Sequence, residues 1–142
     1  MWTAETVLVC ALALLPRSVG SFPPIVLTPT RPQFASVTAD GWVIAGDQRI
    51  YLLTSSPAFR LAMSAQERCG ELSALKKIAS VVVHEEWHVR NSPGEEGAYV
   101  AQLTALTAMH SGPGTPLYTE VWRARRAVTR RAPQSASATP AP

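Results

Sequence analysis

Cysteine is scarce. Cys10 and Cys69 are the only two in 142 residues. No local signature marks Cys69 as a nucleophile, and it reads as a small buried hydrophobe. The apolar run from Val7 to Leu15 is too short to span a bilayer, so no transmembrane segment is expected. Internal repeats and phosphate-binding glycine loops are absent. Five arginines crowd the C-terminal end (Arg123, Arg125, Arg126, Arg130 and Arg131) without interleaved aromatics or a nucleic-acid fold signature. From Ser21 to Trp122 there are seven basic and nine acidic residues, so the basic character is local. That end reads as a solvated helix terminus favoured by the dipole, with an anionic partner as the sharper alternative and nucleic acid not expected. Proline and glycine are also missing between Glu71 and Arg90, an uninterrupted stretch in a chain with 12 prolines and 8 glycines.

What fills that stretch organises the rest. Leu75 to Val83 is apolar with few breaks, as in a buried central helix. It leads into His84-Glu85-Glu86-Trp87-His88, an instance of H-E-x-x-H. On a helix, His84 and His88 lie one turn apart on one face and can grip one Zn²⁺. Glu85 falls where a carboxylate can reach a zinc-bound water and act as general base. Asn91 to Gly94 ends the helix. A second helix opens at Glu95 and runs to about Leu106, with Tyr99, Leu103 and Leu106 at core spacing. A carboxylate in its first turn suits a His₂Glu site with an open fourth position. Glu95 and Glu96 compete for that place, since one step rotates a helix by about 100°.

These residues resemble the gluzincin-type metallopeptidases. More narrowly they resemble small zincin-like domains in which HExxH is followed by a helix beginning E-x-x-A-Y and continuing to Gln. The matching positions are His84, Glu85, His88, Glu95, Ala98, Tyr99 and Gln102. The likeness covers roughly Gly41 to Trp122. It implies that His84, His88 and Glu95 hold Zn²⁺, that Glu85 is the catalytic base, and that a peptide or protein is the substrate. It also favours Glu95 over Glu96. A metzincin is disfavoured, because no Gly and third His follow at that spacing. The resemblance further implies a strand ahead of the zinc helix that edges the cleft and pairs with extended peptides, and Ile50 to Thr54 is the candidate.

The remaining segments set the organisation. Residues 1–20 read as a secretory signal, with an apolar core, Pro16 and a small-residue site at Ser18-Val19-Gly20, although Glu5 is the only charge ahead of the core. Cleavage would leave Cys69 alone, with no intramolecular disulfide, and would place the protein in a secreted or periplasmic setting. Residues 21–34, with four prolines, read as an extended linker without a core. Gly41 to Leu53 reads as a hairpin around Gly46-Asp47. Ala58 to Ala65 is a helical turn or short helix, and Ser64 to Glu67 fits a capping box. Leu117 to Val128 is a final helix, and residues 129–142 a disordered tail. His110, Tyr99 and Tyr118 are each open between a structural role and one at a reacting carbonyl.

The expected fold is therefore α+β. A minimal zincin-like domain over residues 35–128 packs a short antiparallel sheet on the HExxH helix, followed by two helices. Zinc-dependent peptide hydrolysis is the leading function. A catalytically inactive zincin-like metal-binding or interaction module is the alternative, and a function carried by the Arg-rich end is the third.

Overall fold

The computed structural model describes residues 1–17, 21–36, 38–91 and 94–138, with side chains through residue 130 in the last stretch. The fold is α+β, with five helices and one three-stranded mixed sheet among the described residues. The helices are α1 (Ala4–Leu12), α2 (Pro57–Met63), α3 (Leu72–Arg90), α4 (Glu95–Ala108) and α5 (Pro116–Ala138). The strands are β1 (Ile25–Thr28), β2 (Gly41–Val43) and β3 (Ile50–Leu53), in the order β1-β3-β2.

The motif helix α3 is the hub. Its unbroken run of good helix formers and β-branched residues buries Leu75, Ile78, Ala79, Val81 and Val82. Helices α1, α2 and α4 and both strands of the hairpin pack on it. The hairpin has the expected form. Strands β2 and β3 pair antiparallel with Val43 opposite Ile50, and Gly46 takes a left-handed φ of 82° in the connection. Trp42 and Tyr51 face each other across the ladder with parallel rings 6.0 Å apart. Gly41 is needed for closeness, because a Cβ there would stand 2.9 Å from Cγ1 of Val81 on α3.

Several expectations need correction. The sheet is mixed rather than antiparallel, because part of the expected linker is β1, which pairs parallel with β3. Ile50 to Leu53 is consequently the central strand and no edge, and β2 is the edge that borders the cleft. Residues read as a removable leader form α1, whose Val7, Cys10, Ala11 and Leu12 are buried in the same core as α3. Cys10 is bonded to Cys69, so Cys69 is neither free nor a buried hydrophobe. The expected cleavage site, Ser18 to Gly20, lies outside the described residues. Ser64 closes α2 and starts no helix, whereas Ser56 is the N-cap, its Oγ accepting from the N–H of Phe59 at 3.3 Å. Helix α5 runs past Val128 into the expected tail. Among the described residues, no helix is long and apolar enough to cross a membrane.

Candidate metal centre

His84 and His88 sit one turn apart on α3, their ring centroids 5.1 Å apart. Both face the start of α4. Gly94 caps α4 in an extended conformation, and Glu95 and Glu96 occupy its first turn, where the helix dipole favours anions. The one-residue difference separates them completely. Glu95 reaches both imidazoles, with Oε1 2.8 Å from Nε2 of His88 and Oε2 3.3 Å from Nε2 of His84. Glu96 points to α5, where Arg125 donates to its Oε1 at 2.6 and 3.0 Å and Thr129 donates to its Oε2 at 3.1 Å.

The approach of α4 to α3 depends on Gly97. A Cβ there would lie 2.1 Å from Cζ2 of Trp87, the residue beside His88. The missing side chain lets α4 settle against the indole and brings Glu95 within reach.

Behind His84 lies a buried polar chain. Ser80 Oγ donates to the carbonyl of Lys77 at 2.8 Å. Gln102 Nε2 donates to Ser80 Oγ at 3.0 Å. Gln102 Oε1 therefore faces Nδ1 of His84, at 2.9 Å, and accepts its proton. This contact turns Nε2 of His84 toward Glu95. Lone pairs of imidazole and carboxylate so placed repel unless a proton or a cation lies between them.

The donor chemistry suits a cation. Ligand atoms of His84, Glu85 and His88 lie within 4.8 Å of one another, a group that could hold a metal ion, and Glu95 joins both imidazoles from α4. Two imidazole nitrogens with a carboxylate suit zinc and several other divalent transition metals. Hydrogen bonding to His84 and His88 holds the Glu95 carboxyl low, at about 2, so it is anionic across the neutral range. Burial pushes the Glu85 carboxyl up, and the neighbouring imidazoles oppose that shift without cancelling it. Glu86, next in the motif, is turned away and paired with Arg17 and Arg90.

The site opens on a cleft of about 910 Å³. Strand β2 and the hairpin connection form one wall; α3, α4 and part of α5 form the other. Tyr99 lines it with its ring edge-on to His84 at 4.6 Å, and burial raises its hydroxyl pKa. The other open residues fall elsewhere. His110 follows α4 in a left-handed conformation and is exposed, and Tyr118 packs against the core rather than lining the cleft.

Sequence reasoning named His84, Glu85, His88 and Glu95, which the fold brings together. It gave no role to Gln102 and missed Ser80. The available signal was Ser80 itself, a hydroxyl one turn before His84 in an apolar run, since a buried hydroxyl needs a partner. No protein-family model, curated protein or solved structure compared with the chain matches it.

Proposed function

We propose that the chain is a zinc-dependent, metallopeptidase-like hydrolase built on a minimal zincin-like site. One observation carries this reading. The Nε2 atoms of His84 and His88 and both oxygens of Glu95 converge, and the contact of Nδ1 with Gln102 turns the Nε2 of His84 to the point they share. In this reading His84, His88 and Glu95 hold the metal. When bound, zinc would polarise a water and a substrate carbonyl.

The remaining steps belong to the chain. Glu85, buried and raised, takes a proton from the attacking water on its carboxylate and delivers it to the leaving amine. Strand β2 offers its outer edge to an extended peptide lying in the cleft. The cleft volume is within the range of about 300–1,000 Å³ usual for ligand sites.

A second reading has an observation of its own. The Glu85 carboxylate is close enough to both imidazoles to be a ligand. Four protein ligands would leave no open position, and the chain would be a metal-stabilised interaction module.

Glu85→Gln separates the two. As an enzyme, the zinc-loaded variant keeps its metal and loses hydrolysis of a peptide library by about 10²- to 10⁴-fold. Loss of the metal from this variant, with no hydrolysis by the parent chain, would establish the second reading instead. An oxidising compartment is part of the proposal, because the Cys10–Cys69 bond persists there.

A further inference from the structure

The cleft has two ends of different chemistry. Lys77, Val81, His84 and His88 follow one face of α3, and all four line it. Lys77 lies two turns before His84, about 10 Å along the helix axis. Strand β2 accompanies that face, with Gly41 against Val81 and Asp40 beside Lys77, where the two border a second, small cavity. The metal site therefore stands at one end of the face and a charged group at the other, with Val81 between them. Three elements supply that group: Lys77 on α3, Asp40 just ahead of β2, and Glu120 on α5. Lys77 Nζ donates to Glu120 Oε2 at 2.6 Å, so the one lysine is already paired. Asp40 is half-buried and forms no ion pair of its own among the described residues. Burial pushes its carboxyl up; Lys77 and Arg31 oppose that shift without cancelling it, and Glu120 adds to it. Arg31 is exposed and donates to the Ala39 carbonyl at 2.8 Å, so solvent screens its charge. Two carboxylates thus share one ammonium.

We infer that Asp40 and Glu120 form a subsite for a basic side chain, Lys or Arg, carried by an extended peptide about three residues from the bond held at the metal site. The spacing follows from the two rises. An extended chain advances about 3.3 Å per residue, so the distance from His84 to Lys77 corresponds to about three residues. Charge complementarity names the occupant. An acidic side chain would meet two carboxylates of its own sign, and an apolar one would cover Asp40 without supplying a cation. A Lys or Arg brings the missing cation, and its alkyl stem lies over Val81, which lines the cleft between the two ends. The inference deepens the peptidase reading and rests on it for the position of the scissile bond; the charge preference is tested separately.

The test uses short peptides in pairs, with lysine or norleucine at each position in turn; norleucine keeps the stem and lacks the ammonium. Cleavage is followed with the full zinc-loaded chain, and binding with the full metal-free chain by fluorescence anisotropy. Lysine about three residues from the cut is expected to raise kcat/KM about 5- to 10-fold over norleucine, between the effects of an exposed ion pair and a charge-assisted hydrogen bond. Asp40→Asn combined with Glu120→Gln, both isosteric, removes that difference. Should the pair of substitutions not fold, Glu120→Gln alone serves, because Glu120 is exposed, and it reduces the lysine preference. Equal cleavage of both peptides by the parent chain, or a preference at another position, overturns the subsite and leaves the peptidase reading standing. Loss in equal proportion for both peptides in the variants, as a merely structural role would give, overturns it as well. Tighter binding of lysine peptides, abolished in the variants, by a chain that cleaves nothing upholds the subsite and counts against the peptidase reading alone. Neither cleavage nor binding overturns both.

Discussion

Glu95 and Glu96 show how much one residue step decides. Chemically they are identical and both begin α4, yet one carboxylate meets two imidazoles and the other an arginine and a threonine. His110 is a second case. It closes α4 with φ at 64°, where its N–H donates to the Thr107 carbonyl at 3.1 Å and that of Ser111 to the Leu106 carbonyl at 2.8 Å. That is the Schellman pattern, with histidine where glycine is usual. An L-residue pays conformational strain there, so His110→Gly is expected to raise stability by roughly 0.5–1 kcal/mol after the added freedom of the unfolded chain is counted. Denaturant titration checks this, and metal uptake should not change. A loss of stability would show that the His110 side chain contributes more than its backbone strain costs.

At the scale of elements, the site depends on how closely α4 lies to α3. Helix propensity alone says that Gly97→Ala should help by up to about 1 kcal/mol. Contact with Trp87 reverses the sign, because a Cβ at 2.1 Å forces the helices apart or the indole out of place. The expected outcome is a loss of about 1–3 kcal/mol. Weaker zinc binding in equilibrium dialysis should accompany it as Glu95 withdraws. Unchanged affinity would mean that Glu95 is not the third ligand. Helices α3 and α4 were the legible elements. An interval from Glu71 to Arg90 without breakers became α3 at Leu72–Arg90, and Glu95 did open α4. Strand β1 was not legible, because Ile25 to Thr28 lies among four prolines and gains its partners only from β3. That distant pairing also hid which strand would be the edge. The candidate ligands were readable because their spacing is local. Gln102's orientation was not, since it depends on a hydroxyl 22 residues away.

The whole molecule shares one core that begins near its N-terminus. Trp2 donates from its indole to the Ala65 carbonyl at 3.0 Å, and α1 buries an apolar face against α3. The Cys10–Cys69 bond ties this helix to the loop that leads into α3, across 59 residues of sequence. By composition the first residues read as an apolar leader, and in the fold their apolar segment is α1, packed into the core. Closing so long a loop restricts the unfolded chain, so Cys69→Ser should cost about 2–4 kcal/mol by denaturant titration. Metal uptake should persist well below the midpoint, since neither cysteine contributes to the His–Glu cluster. An unchanged midpoint would show that packing alone holds α1. The basic end is partly engaged within the fold: Arg125 pairs with Glu96, and Arg126 lies 4.9 Å over the Trp122 ring.

The most direct measurement is metal content by mass spectrometry on the purified full chain beside His88→Ala, Glu95→Ala and Glu96→Ala. One zinc per chain is expected, retained in Glu96→Ala and lost or sharply reduced in the other two. A folded chain that takes up no zinc when supplied with it, or that loses zinc with Glu96 and not with Glu95, would contradict the site described.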